Sequence, residues 1–242
     1  MLRIQILLLL LIGQGAFAQK IYVDTLKFPD GASLTAEQKT DIRFPIVKTG
    51  RRNVDSLINR DLKNRFTDNE FPDLPADSAL IQWADQRIVY VDFELSYLQD
   101  GLISLNISAE GCGAHCTNWT DYFTYSTTTG KYVTIDEIVD TSGRFKGIVM
   151  ADKTKRYEEQ RKELKKMFLD KTSELDEESY QLALERYDEC DQSFALGAFA
   201  LFPDHLQIIE KCTFPNVMKN LTPAIELKYK YRDISKHLKI KH

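Results

Sequence analysis

The first eighteen residues of this chain set the conditions under which the rest of it folds. Arg3 supplies a positive charge, Ile4–Ile12 is apolar apart from Gln5, Gly13-Gln14-Gly15 ends the run, and Ala16-Phe17-Ala18 follows. A basic start, a short apolar core and an A-x-A site are the parts of a secretory signal peptide. The run is about half of the ~20 residues a bilayer-spanning helix requires. The leucines from Leu7 to Leu11 leave no polar face for an amphipathic surface helix. Residues 1–18 therefore read as a cleaved signal and 19–242 as the mature protein, periplasmic or secreted. Gln19 rather than cysteine follows the site, so no lipoprotein anchor is expected. The longest later apolar run, Phe194–Phe202, contains Gly197 and reads as a buried strand, so the exported protein is expected to be soluble and without a membrane anchor.

Export gives the cysteines their meaning. There are 4 of them, Cys112, Cys116, Cys190 and Cys212. An even count in an oxidising compartment argues for two disulfides, with three pairings open. The local pairing, Cys112 with Cys116 and Cys190 with Cys212, is the expected one. A metal site built from Cys112, His115 and Cys116 is the competing reading; oxidation disfavours it, and no metal is expected. Net charge is a mild −4 with the signs interspersed, which lacks the basic footprint of a nucleic-acid binder. Lys236, Lys239 and Lys241 read as a solvated basic tail.

Pattern along the chain is mixed. Thr40–Lys48 suggests a strand kept to an edge by Pro45. Asn53 reads as the cap of a helix with Val54, Leu57, Ile58, Leu62 and Phe66 on one face. A short helical patch covers Ser78–Ala84 and carries Trp83. Ile88–Leu98 alternates, placing Val89, Val91, Phe93, Leu95 and Tyr97 together, and Asp100-Gly101 is a hairpin turn. Leu102–Ser108 returns, and Tyr122–Thr127 and Tyr132–Ile135 follow as further strands. Arg144–Leu169 is a long helix whose charged run reads as a solvated face with i,i+4 pairs such as Glu158–Lys162. Asp176–Tyr187 is a second helix. Ser193–Phe202, Leu206–Phe214 and Pro223–Tyr229 read as strands, and Arg232–Leu238 as a closing helix. Helices inserted between hairpins predict an α+β fold with a mainly antiparallel sheet. One domain over 19–242 is expected, with 19–110 and 111–242 as its candidate subdomains.

Chemistry is sparse. There is no G-x-S-x-G elbow, P-loop, H-E-x-x-H or dinucleotide glycine motif, and no cofactor is implied. Asp136-Glu137 and Asp176–Glu178 sit where helix N-termini favour acids. Asp188, Glu189 and Asp191 are hard oxygen donors without EF-hand spacing. The most distinctive segment is Gly111-Cys112-Gly113-Ala114-His115-Cys116, followed by Asn118, Trp119 and Tyr122. A disulfide across this loop would display His115. His115, Asn118, Trp119 and Tyr122 are the candidate ligand contacts, and His115 is the one catalytic candidate, with Asn118 or Asp121 to orient it.

Several stretches carry a resemblance. Phe44-Pro45-Ile46 with Asn53 and Leu57-Ile58-Asn59 comes first. Leu102-Ile103-Ser104-Leu105, Gly113-Ala114-His115, Thr129-Gly130-Lys131 and Thr134-Ile135-Asp136-Glu137-Ile138 follow. Leu206, Pro223-Ala224-Ile225-Glu226-Leu227 and Ile234 complete the pattern. Over Thr40–Leu238 the chain resembles the extracytoplasmic domain of the anti-sigma factor RsiV. A similar domain of unknown function accompanies the peptidoglycan deacetylase PdaC. The resemblance implies an envelope module, RsiV's version being a receptor for lysozyme. This chain has no sigma-binding segment with a transmembrane helix and no deacetylase domain, and cysteines in the His loop depart from the pattern. The expected function is a soluble exported binding module whose partner is a peptidoglycan fragment or a lysozyme-like protein. The alternative is an envelope hydrolase or transferase using His115 as general acid/base.

Overall fold

The computed structural model describes residues 20–113, 116–170, 172–173, 175–193, 196–223 and 225–240. Residues 1–18, the segment expected to be a cleaved signal, lie outside them. In chain order the elements are β1 (Tyr22–Thr25), α1 (Ala36–Asp41), β2 (Pro45–Lys48), α2 (Arg52–Phe66) and α3 (Ala76–Gln86). Then come β3 (Ile88–Gln99), β4 (Leu102–Cys112), β5 (Cys116–Ser126), a single turn α4 (Ile135–Ile138), α5 (Arg144–Leu169) and α6 (Glu177–Gln192). β6 (Ala198–Leu201), β7 (His205–Ile209) and β8 (Glu226–Lys230) close the chain, with 3₁₀ turns at Asn216–Leu221 and Ser235–His237. The strands form one two-stranded and two three-stranded sheets, β1-β2, β3-β4-β5 and β6-β7-β8, and every strand pair is antiparallel. The fold is α+β, as the pattern predicts.

The central sheet positions everything else, and β4 is its middle strand. Residues opposed in an antiparallel ladder share a face. Ile103, Leu105, Ile107 and Ala109 therefore face the same way as Tyr125, Phe123, Asp121 and Trp119. That face packs against α2 and α3 in a core with Phe44, Ile58, Leu62, Phe66, Leu80 and Trp83. The reverse face carries Leu102, Ser104 and Thr124, and its hairpin end joins a second core with Val149, Tyr157, Leu201, Leu206 and Leu227. A division between residues 110 and 111 would cut β4, which runs Leu102–Cys112.

One buried hydroxyl joins the two halves. Ser104 Oγ accepts from the Thr124 hydroxyl at 3.1 Å and from the Leu201 amide at 3.1 Å. The first partner lies on β5 and the second on β6, so a sheet-to-sheet contact that would orphan polar groups is satisfied.

Several local expectations change, each for a tertiary reason. Val89 and Leu95 are 41% and 39% exposed, while Ile88, Val91 and Tyr97 are buried. β3 carries register shifts at Ile88/Tyr90 and Leu95/Tyr97. The first leaves Val89 without an opposed partner, and the second puts Tyr97 opposite Ser104, on the other face from Val91, Phe93 and Leu95. Arg51, not Asn53, occupies the N-cap of α2. Of the strand expected over Thr40–Lys48, Pro45–Lys48 is β2 and Ile42 bridges to Val91. Thr40 and Asp41 end helix α1, which a reciprocal Thr35/Gln38 capping box starts. Tyr132–Ile135 makes a bridge to Tyr125 and then turns into α4 through a Thr134/Glu137 box. Arg232–Leu238 holds only the 3₁₀ turn.

α5 is not the bland solvated rod that its charges suggest. Phe145, Val149, Lys153, Tyr157 and Leu164 form its buried face, and Lys153 is paired at 3.1 Å with Glu210. Its surface ion pairs are Arg156–Glu159 and Glu163–Lys166, at i,i+3 spacing. Arg161 reaches across to Asp188 and Asp191 of α6. Those acids neutralise an arginine, and Glu189 pairs with Arg186. The acids of 188–191 are thus committed to cations on the chain itself. Among the described residues no helix is long and apolar enough to cross a membrane.

Candidate functional site

The site grows from strand alternation in β5. Trp119 and Asp121 lie on the face toward α2 and α3, whereas Asn118 and Tyr122 are opposed to Glu110 and Asn106 on the reverse face. The sequence candidates Asn118, Trp119 and Tyr122 are therefore divided between two faces. Only Trp119 reaches the cleft described here, and Tyr122 cannot share a surface with it. Ala114 and His115 lie outside the described residues, so the roles expected of His115 have no position in this structure.

Trp119 ends an aromatic ladder that starts in the core. Phe44 and Phe66 are 5.5 Å apart between ring centroids, Phe66 meets Trp83 edge-on at 5.2 Å, and Trp83 meets Trp119 edge-on at 6.2 Å. Tilted and edge-to-face geometries suit aromatic quadrupoles. Phe44, Phe66 and Trp83 are buried and Trp119 is half-buried. A rigid stack thus delivers one indole to the surface at little conformational cost.

Gly111 makes room for it. A Cβ at that position would stand 3.3 Å from Trp119 Cζ3 and 3.4 Å from Ile88 Cδ1. The absent side chain lets the indole lie against the β4 backbone.

Polar groups surround the two tryptophans. The Trp83 indole N–H donates to Glu70 at 3.1 Å, and the other Glu70 oxygen pairs with Arg87. The Arg87 guanidinium stands 5.7 Å from the centroid of the Trp83 ring. The Arg87 carbonyl accepts from the Cys112 amide at 2.8 Å, fastening the end of α3 to the β4 tip. Asp121 is held by Lys211 at 2.8 Å, and Lys219 donates to the Asn118 carbonyl at 2.9 Å. Both lysines come from the C-terminal half and brace the free side of β5. Asp68 enters after α2 in a left-handed conformation, φ 48°.

The result is an open cleft of about 470 Å³ lined by Phe66, Asp68, Trp83, Arg87, Trp119 and Asp121, together with Gly111 and Thr117. Of the lining residues, sequence reasoning found Trp119 and, as an orienting group, Asp121. It missed Arg87, Asp68 and the role of Trp83. A faint signal existed: Trp83 and Arg87 are an i,i+4 aromatic–cation pair at the end of a helix. Their meeting with Trp119, over thirty residues away in sequence, carried none.

The cysteines behave as export predicts. Cys112–Cys116 and Cys190–Cys212 stand at bonding distance, 2.08 and 2.16 Å between sulfurs, in the local pairing. Glu110 lies beside the first pair, its carboxylate and both sulfurs within 4.8 Å of one another. Bonded sulfurs offer no thiolate to a metal. On the reverse face, burial raises the pKa of the Tyr122 phenol, helped by the charges of Glu226, Asp121 and Glu94, so it stays protonated.

No family model and no curated protein matches the chain. The solved structures that share its fold include two DUF3298 family proteins. A DUF3298 family member from Bacteroides fragilis aligns over 91% of this chain and 94% of its own, with TM-score 0.55 and 12% identity. A DUF3298 family protein from Pseudomonas aeruginosa PAO1 aligns over 91% of this chain and 95% of its own, with TM-score 0.51 and 14% identity. At such identities the likeness is one of fold: this chain has a DUF3298-type fold.

Proposed function

We propose that this protein is an exported module of the cell envelope that binds a peptidoglycan-type glycan in the Trp119 cleft. One observation carries the reading: a half-buried indole, backed by a buried aromatic ladder, floors an open groove rimmed by Asp68, Arg87 and Asp121. A pyranose offers an apolar C–H face to stack on an indole and equatorial hydroxyls for carboxylates and a guanidinium to hold. Arg87 is already paired with Glu70 and Asp121 with Lys211, which suits neutral hydroxyls better than a highly charged ligand. Two cysteine pairs at bonding distance fit an oxidising compartment, and the N-terminal signal pattern supports export.

Calorimetric titration with soluble muropeptides tests the reading. The wild type binds, and Trp119→Ala weakens binding by about 30-fold, the size of effect truncating an aromatic anchor has, with an unchanged circular dichroism spectrum. Lysozyme is titrated in parallel. Binding of lysozyme without any binding of muropeptides would replace the glycan with a protein partner.

A further inference from the structure

The tip of the β4–β5 hairpin holds chemistry distinct from that of the cleft. Cys112 and Cys116 are directly opposed in the ladder, and pairing continues behind them through Gly111–Thr117 and Glu110–Asn118. The Cys112 amide is fixed separately, by its hydrogen bond to the Arg87 carbonyl. The backbone therefore holds the two cysteines face to face without help from the covalent bond. Glu110 lies two residues before Cys112 and shares its side of the strand. Its carboxylate and both sulfurs lie within 4.8 Å of one another.

The two cysteine pairs differ in what they do. Cys190 and Cys212 are 7% and 4% exposed and 22 residues apart, joining α6 to the segment after β7. Cys116 is exposed, Cys112 half-buried, and their separation is 4 residues. A crosslink over so short a loop removes little chain entropy, and an exposed sulfur is open to attack by a thiolate.

We infer that Cys112–Cys116 is a reducible pair whose dithiol form, together with Glu110, is a binding site for a soft divalent cation of the Zn²⁺ class. A small dithiol supplies the electrons. Its thiolate attacks the Cys116 sulfur and releases Cys112 as a thiol. The second thiol of the reductant then resolves the mixed disulfide, leaves as a cyclic disulfide and frees Cys116. Two electrons pass to the pair. Binding the cation then sends the two thiol protons to solvent, and two thiolates and one carboxylate surround the charge. Zinc–sulfur bonds of about 2.3 Å in a tetrahedral site place the sulfurs about 3.8 Å apart, and a water takes the fourth position.

The test uses the mature protein, reduced with increasing dithiothreitol, desalted without air and titrated with ZnCl₂ against a chromophoric chelator. Thiol counting and mass mapping should show Cys112–Cys116 opening first, with the circular dichroism spectrum unchanged. The reduced protein should bind one Zn²⁺ per chain at least 100-fold more tightly than the oxidised protein. Glu110→Gln should weaken that binding about tenfold, and the Cys112→Ser/Cys116→Ser double variant should abolish it. The inference is overturned if both disulfides open together or if reduction brings no gain in zinc affinity. Wild-type affinity in either variant would overturn it as well.

Discussion

Ser104 shows how much a single side chain can decide in this protein. It is fully buried on the central strand, where a sequence reading sees only the polar half of an alternation. Its hydroxyl accepts from Thr124 on its own sheet and from Leu201 on the next. Ser104→Ala leaves a buried amide and a buried hydroxyl without an acceptor, which costs about 1–3 kcal/mol. Urea unfolding should show that loss with an unchanged slope; a variant as stable as the wild type would remove Ser104 from this role. Trp119 was legible as a candidate because an indole beside a cysteine loop is conspicuous. Its separation from Tyr122 follows from strand parity, which needed the start of β5 at Cys116 rather than at Tyr122. Lys153 was illegible: a lysine within a charged run reads as solvated, and only the fold brings Glu210 to it.

Elements were read best where their signals are local. The Asp100-Gly101 turn is present with φ values of 55° and 75°, the left-handed pair a tight hairpin requires. α5 matches its expected span, Arg144–Leu169. The phase of β3 was missed because its two register shifts are set by pairing with β4, and nothing within Ile88–Gln99 announces them. Helix α6 carries a prediction about pH. Asp176 caps it by accepting from the Ser179 amide at 2.8 Å, and the hydrogen bonds from Ser179 lower its pKa below 3.8. A carboxylate depressed in the folded state contributes stability above its unfolded pKa and loses it as pH falls through the folded value. Asn also caps helices but does not titrate. The melting temperature of the wild type relative to Asp176→Asn should therefore fall as pH drops from 5 towards 2.5. A constant difference across that range would contradict the assignment.

At the scale of the molecule, two cores share one sheet. The N-terminal helices cover one face of β3-β4-β5, and the C-terminal sheet and helices cover the hairpin end of the other. The α+β class was readable from element order, but this arrangement was not, since it rests on which face of β4 each half covers. Cys190–Cys212 fastens α6 to the second core. Replacing both cysteines by Ala should cost about 3 kcal/mol, the chain entropy of a loop of that length plus lost packing. A chemical denaturation midpoint equal to that of the wild type would show that the bond contributes nothing to stability. The cleft lies where the first core meets the surface, so its tryptophans report on ligand directly. The protein has 2 tryptophans, Trp83 buried and Trp119 at the groove. The most direct measurement is a ¹H–¹⁵N spectrum of the two indole N–H resonances, assigned with Trp119→Phe, during titration with a muropeptide. The Trp119 signal should move saturably, with Trp83 following weakly through its edge contact. Muropeptide binding that leaves the Trp119 resonance unmoved would place the site elsewhere and contradict the account.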